Sequence, residues 1–193
     1  TSPCFDRHGP PRIYEPPLPT PAYALLEGAV ISSVVPPLSS SLKQAITRIK
    51  PVRILTVGPG IKTGLHIAID NPAQLGADLV CVSVAALEKY PLPSIVIDMG
   101  TATTISAMDR HGKMLGGSIL PGVRISLEAL TARTAQLPQI DLSAPPQSVI
   151  GANTIDCMKS GVLYGTASML DGMIDRYRAE LGEDLTVIAT GGL

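Results

Sequence analysis

An acidic residue and a run of small polar residues directly follow an apolar stretch near the middle of the chain. The segment reads SIVIDMGTATT, from Ser94 to Thr104. Its apolar half is typical of a buried strand, and the glycine and hydroxyl residues after it are typical of a tight turn. Asp98 offers a carboxylate for a cation, and the turn offers N–H groups and hydroxyls for phosphate oxygens. A hairpin in which Asp98 only caps the turn fits this pattern equally well.

A second candidate acid lies in a segment with the periodicity of a helix. Asp78 is the only charged residue between Asp70 and Glu88. A carboxylate in such a helix lies either at the solvent edge or in a cleft, where it can act as a base. The solvent edge is the commoner case, but the sequence alone does not decide between the two.

Two further segments combine small and polar residues with the end of a predicted element. In IGANT, Asn153 or Thr154 either caps the long helix that follows or presents a polar group to a ligand, and a cap is the simpler interpretation. Gly191 and Gly192 follow the last apolar run. Glycines there allow a flat ligand to approach the backbone, but they also serve an ordinary turn.

The elements that must position these residues alternate between strands and helices. GAVISSVVPPL predicts a strand that ends at Pro36, SSSLKQAITRI a Ser-capped helix, and VRILTVG a second strand, which together form a βαβ unit. A helix that Asn71 caps and Pro72 opens comes next. A three-stranded antiparallel meander from Ser94, a helix from Pro121 to about Gln136, a helix over about 154–180 and a final strand complete the pattern.

Composition excludes several classes of protein. The chain has 193 residues, of which 45% are hydrophobic and 16% charged, so it is expected to be globular. A net charge of -1, 3% aromatic residues and no Trp argue against nucleic-acid binding. The three cysteines are too few and too widely spaced for a zinc ribbon or a disulfide framework, which favours the cytoplasm. No apolar stretch is long enough for a membrane span.

The motifs, taken in order, resemble those of the type III pantothenate kinases, of the acetate/sugar kinase, Hsp70 and actin superfamily. The matching stretches cover residues from about 28 to 193 and read ISSVVPPL, GPGIKTGL, DNPAQLGAD, VIDMGTATT, GGSILPG, TAQLP, IGANT, SGVLYG and ATGGL. The resemblance implies an α/β, actin-like/ribonuclease H-like ATPase fold with two lobes. The predicted organisation is a Pro-rich lead over 1–27, a first lobe over 28–92 and a second over 93–193.

The resemblance also implies a reaction, the ATP-dependent phosphorylation of pantothenate to 4'-phosphopantothenate, the first step of coenzyme A biosynthesis. By position, Asp78 matches the acid that accepts the proton, and Asp98 matches the ligand of a monovalent cation, K⁺ or NH₄⁺. The implied contacts with pantothenate are Gly76, Ala77, Leu79 and Thr154, and those with ATP, which carries Mg²⁺, are Gly100, Thr101, Gly191 and Gly192. The family further implies a homodimer, and no nucleic acid or membrane is expected as a partner. The alternative function is that of a non-catalytic regulatory relative or an inactive fragment.

The chain departs from the family pattern at three places. Residues 1–27 contain no match to the Asp-x-Gly-Asn-Thr phosphate loop, and the chain stops at Leu193 where family members continue. Leu79 and Val82 stand where many members have Arg and Asn. From the first two departures we expect both lobes to be incomplete and the chain to be poorly soluble when it is expressed alone.

Overall fold

The computed structural model describes residues 25–58 and 60–192. They form two compact units that divide at Gly58. The predicted Pro-rich lead lies almost entirely outside the described residues, and the predicted lobe boundary between residues 92 and 93 stays a prediction. None of the described helices has both the length and the apolar composition that a membrane span needs.

The first unit is the predicted βαβ unit. Its strands β1 (Gly28–Ile31) and β2 (Arg53–Thr56) pair in parallel, and helix α1 (Pro36–Ile49) connects them. The predicted boundaries were wrong, because β1 ends at Ile31 and the helix already begins at Pro36. Proline has a φ suited to the first helical position and lacks the N–H that would be unpaired there. The predicted Ser cap is absent, since the N-cap is Val35 and makes no side-chain hydrogen bond.

The second unit is built on a five-stranded mixed sheet. Its strands, in the order β3-β6-β5-β4-β7 across the sheet, are β3 (His66–Ile67), β4 (Ser94–Met99), β5 (Ala102–Met108), β6 (Lys113–Pro121) and β7 (Thr186–Gly191). The predicted antiparallel meander β4-β5-β6 and the final strand are confirmed. Strand β7 pairs in parallel with β4. The two-residue strand β3 was not predicted, because so short a segment carries no periodicity.

Helices cover both faces of the central strands. Val82 and Ala86 of helix α2 (Ala77–Lys89) pack with Val96 and Met108 on one face. On the other face, the second half of α4 (Thr154–Leu181) packs against a core that includes Ile95, Ile97 and Ile105, and the short α3 (Val123–Arg133) lies against α4 and β5. Because β4 is buried on both sides, its sequence is a continuous apolar run rather than an alternating one.

Two predicted helix starts were wrong for the same reason, that a proline is compatible with more than one kind of element. Asn71 and Pro72 begin a short 3₁₀ helix (Pro72–Gln74), and the Asn71 side chain accepts a hydrogen bond from the N–H of Ala73 at 3.2 Å. The α-helix follows only from Ala77. Pro121 ends β6 instead of opening α3, since a proline is tolerated where a strand has no neighbour on one side.

Candidate active site

Asp98 lies near the end of β4 in a row of oxygen-bearing side chains. Its register partners are Thr104 on β5 and Thr190 on β7. Residues that are paired directly across a ladder place their side chains on the same face of the sheet. The half-buried carboxylate is therefore flanked by two hydroxyls. One carboxylate with neutral oxygen neighbours is a donor set for a cation of low charge.

Thr190 was missed by the sequence analysis. It directly precedes the predicted glycine pair, but its position beside Asp98 depends on the pairing of two strands that are far apart in the chain. No group of three or more His, Cys, Asp or Glu side chains that could hold a metal occurs among the described residues. A site built on Asp98 would therefore rely on hydroxyl, backbone and ligand oxygens.

The turn after Asp98 is approached closely by two glycines from distant parts of the chain. A Cβ on Gly122 would lie 2.6 Å from the carbonyl oxygen of Gly100 and closer still to that of Thr101. A Cβ on Gly191 would lie 2.7 Å from the backbone N of Met99, and Gly191 has a φ of +130°. Only glycine fits at such distances. Backbone therefore lies against the carbonyl oxygens of the turn at Gly122 and against Met99, just before the turn, at Gly191.

The structure therefore brings together most of the residues predicted to contact ATP. Gly100 and Thr101 form the turn, and Gly191 is the register partner of Met99 just before it. Gly192 follows Gly191 and is exposed, as is Thr101. This arrangement joins two motifs that lie about 90 residues apart. Within the turn, the N–H of Gly100 donates to the carbonyl of Ala102 at 3.1 Å.

Asp78 lies in the first turn of α2 and is exposed. Its Oδ1 accepts a hydrogen bond from the N–H of Leu79 at 2.9 Å. Gly76 is the N-cap and Ala77 is buried beneath the first turn. Asp78 thus lies at the solvent edge of the helix. Helix α2 nevertheless packs on the face of the sheet that carries Asp98.

A small cavity lies beside the beginning of the helix that carries Asp78. Its volume is about 60 Å³, and it lies between the beginning of α2 and strands β5 and β6. Leu79, which follows Asp78, lines it on one side, and Thr104, the partner of Asp98, lines it on another. The cavity therefore adjoins the segment of Asp78, whereas β4, the strand of Asp98, contributes none of the described residues that line it.

Thr154 lies apart from this group. It is the exposed first residue of α4, and the cap is Asn153, whose Oδ1 accepts from the N–H of Asp156 at 2.9 Å. The cap interpretation is therefore confirmed for Asn153. A 28-residue helix is about 42 Å long, roughly twice the length of β4. The first turns of α4 consequently extend past the sheet, and the hydroxyl of Ser160 donates to the carbonyl of Val149 there.

A larger cavity, of about 380 Å³, lies between α3 and residues 139–142 and contains none of the predicted site residues. The two described carboxyls with a clearly lowered pKa are also outside the site. The pKa of Asp141 is lowered by the Ser143 hydroxyl, and that of Asp109 by the backbone N–H of Lys113 in the β5–β6 turn. Neither acid takes part in the arrangement around Asp98.

Comparison with known proteins identifies the family. A model of the type III pantothenate kinase family matches residues 15–176. The chain belongs to this family. Type III pantothenate kinases of Exiguobacterium sp. and Halalkalibacterium halodurans are each 48% identical to it, over 89% and 87% of the chain. The enzyme of Moorella thermoacetica is 45% identical over 87% of the chain. The alignments cover 66% to 67% of these relatives, so the chain spans about two thirds of their length.

A more distantly related protein of known structure has the same fold. The crystal structure is that of a conserved Campylobacter jejuni protein described as a Baf family transcriptional activator. The TM-score is 0.52 at 18% identity, with 90% of this chain and 80% of that chain covered. At this identity the likeness shows the fold alone. Membership of the type III pantothenate kinases confirms the resemblance that the ordered motifs indicated.

Proposed function

We propose that the chain acts in the ATP-dependent phosphorylation of the primary hydroxyl of pantothenate, which yields 4'-phosphopantothenate in coenzyme A biosynthesis. Family membership supports the reaction. One observation supports the proposal at the level of residues. The Gly100 turn, Gly191 and the row formed by Asp98, Thr104 and Thr190 lie together at the carboxyl end of β4, in a sheet that α2 covers on one face. The proposal includes an actin-like fold of two lobes.

The nucleotide is assigned to the turn enclosed by glycines. Because the N–H of Gly100 already donates to the carbonyl of Ala102, Gly100 would border the phosphates while the N–H and hydroxyl of Thr101 would donate to them. Gly191 and Gly192 would lie against the adenosine. Mg²⁺, bound with ATP, would neutralise charge on the phosphate oxygens. Asp98, with Thr104 and Thr190 beside it, would hold a monovalent cation, K⁺ or NH₄⁺. The fit rests on a single carboxylate among neutral oxygens, which suits an ion of low charge.

The acceptor is assigned to the beginning of α2. Asp78 would orient the hydroxyl of pantothenate and accept its proton as the phosphoryl group transfers. A base of this kind must be within reach of the hydroxyl, and Asp78 is exposed at the N-terminal end of α2. Gly76, Ala77 and Leu79 would border the acceptor. Thr154 remains a proposed contact that the geometry around Asp98 does not itself support. The homodimer and the cytoplasmic location likewise stay predictions.

A phosphotransfer assay tests the proposal. The chain is incubated with ATP, Mg²⁺, K⁺ and pantothenate, and 4'-phosphopantothenate is detected by mass. Loss of a general base lowers the rate by about 10²–10⁴-fold, so Asp78→Asn should form almost no product. The matched control is Glu88→Gln, an exposed acid near the other end of the same helix. Absence of product from a folded wild-type chain would contradict the proposal and favour the non-catalytic alternative.

A further inference from the structure

The larger cavity, beside helix α3, has two aliphatic walls. Its volume of about 380 Å³ falls within the roughly 300–1,000 Å³ that is usual for small-molecule sites. One wall is a half-buried stripe along α3, in which Val123, Leu127 and Thr131 follow one another at intervals of four residues. Ile140 and Leu142, from the segment that follows α3, form the opposite wall and are also half-buried. The walls therefore suit an aliphatic group.

Two polar side chains of this lining already have partners. Both carboxylate oxygens of Asp141 accept hydrogen bonds from Ser143, one from its N–H at 3.0 Å and the other from its hydroxyl. The hydroxyl of Thr131 donates to the carbonyl oxygens of Leu127 and Glu128. A charged ligand must therefore find its partners among the other side chains of the wall.

Arg124 and Glu128 are charged side chains of the wall that have no such partner. Both are exposed, and neither makes a hydrogen bond or an ion pair with any residue of 25–58 or 60–192. They project from successive turns of α3, about 6 Å apart along the helix axis. A cation that precedes an anion by four residues is the less favourable order for a pair on a helix. The wall consequently holds an unpaired cation and an unpaired anion one helical turn apart, beside aliphatic side chains.

This combination matches the chemistry of a small aliphatic amino acid. Its carboxylate would form two parallel hydrogen bonds with the planar guanidinium of Arg124. Its ammonium would pair with Glu128, and its side chain would cover the stripe that includes Leu127. A ligand with a single charge would leave either Arg124 or Glu128 without a partner.

The cavity also lies next to the turn assigned to the phosphates. Val123, in its wall, directly follows Gly122, where an added Cβ would collide with the carbonyl oxygens of Gly100 and Thr101. Because packed backbone of this kind transmits strain, a shift of the start of α3 must shift the turn as well. A ligand that bridges α3 and residues 139–142 is therefore in a position to influence the turn.

We propose that this cavity is a regulatory site for a small aliphatic amino acid, with the carboxylate on Arg124 and the ammonium on Glu128, and that its occupation changes the affinity for ATP. The binding site itself is independent of the proposed function. The effect on ATP rests on the proposed function, because it takes the Gly100 turn as the place of the phosphates. Coupling of this kind is reciprocal, so ATP must change the affinity for the amino acid by the same factor.

Calorimetric titration with L-leucine and two analogues tests the site. Isoamylamine lacks the carboxylate of leucine, and 4-methylpentanoate lacks its ammonium. Loss of a charge-assisted hydrogen bond weakens binding by about 10–100-fold, so each analogue should bind the wild type that much more weakly than leucine. In Arg124→Gln, leucine and isoamylamine should bind alike, whereas leucine should keep its advantage over 4-methylpentanoate. Glu128→Gln should show the reverse.

Arg133→Gln is the matched control, because Arg133 is an exposed cation in the last turn of the same helix and is not among the residues that line the cavity. It should keep the wild-type affinities, and circular dichroism establishes that each variant is folded. Absence of leucine binding to the folded wild type would refute the site. An Arg124→Gln chain that still prefers leucine to isoamylamine would refute it as well.

The effect on ATP is measured by titration of ATP with and without saturating leucine. We expect a change in ATP affinity of about fivefold or more, and the same change in leucine affinity when ATP is saturating. Unchanged ATP affinity in a chain that binds leucine would refute the regulatory role while the proposed function stands. If the chain binds leucine but no ATP, the proposed function and the regulatory role are both refuted, and only the binding site stands.

Discussion

Replacing Gly122 by alanine should disturb the turn after Asp98 from a distance of some 20 residues along the chain. Gly122 has a φ of −67°, which alanine adopts without strain, so only the added methyl group matters. That methyl would lie 2.6 Å from the carbonyl oxygen of Gly100 and closer to that of Thr101. To bring the nearer oxygen, that of Thr101, to an ordinary contact distance, the turn or the start of α3 must move by more than about 1 Å.

The magnitude follows from the kind of atom that has to move. Both neighbours are backbone atoms of a turn between two buried strands, so they cannot rotate away as a side chain would. Overpacking of this type costs about 1–3 kcal/mol in the free energy of unfolding. If Gly100 and Thr101 bind the phosphates, the loss of one hydrogen bond to a charged group should weaken ATP binding by about 10–100-fold.

Urea unfolding and calorimetric titration with ATP measure the two effects. Gly161→Ala is the matched control, because Gly161 lies inside α4 and has no atom within 4 Å of the added Cβ. Alanine should stabilise that helix by about 1 kcal/mol. The two variants are thus expected to change stability in opposite directions. A Gly122→Ala chain with unchanged stability would refute the close approach of Gly122 to the turn. Unchanged ATP affinity in a destabilised variant would refute only the assignment of the turn to the phosphates.

Three other predictions concern positions outside the turn. Asn153→Ala should destabilise the chain by about 1 kcal/mol through loss of the α4 cap, whereas Thr154→Ala should leave urea unfolding unchanged and raise KM for pantothenate if Thr154 contacts it. Because the N–H of Lys113 lowers the pKa of Asp109, the stabilisation that Asp109 provides should be present above pH 4 and disappear as the pH falls through the lowered pKa. Carbon-detected NMR titration follows that carboxyl, and a pKa at or above 3.8 would contradict the prediction. Ile105→Ala, at a position that is 1% exposed, should cost about 2–5 kcal/mol in urea unfolding, and a smaller loss would mean that the core collapses around the site.

The sequence by itself determined the elements whose interactions are local. The meander β4-β5-β6 joins neighbouring segments through short turns, and the apolar periods of α2 and α4 are visible in any window of the right length. The ordered motifs were enough to indicate the family and to select Asp78 and Asp98. Helix starts at prolines were less predictable, because proline is compatible with several kinds of element. Pro36 begins an α-helix, Pro72 begins a 3₁₀ helix and Pro121 ends a strand.

Only the tertiary structure decided how these segments meet. Thr190 stands beside Asp98 because β7 pairs in parallel with β4, and a parallel pair joins segments that have no local signal of their partner. Gly122 and Gly191 look like turn residues in the sequence. Glycine is required at both positions because backbone atoms of another segment lie too close for a Cβ. The small cavity that includes Leu79 and Ile119 arises in the same way, since its walls come from a helix and two strands. Residue types that suit a site can be read along the chain, but the distances between them depend on long-range packing.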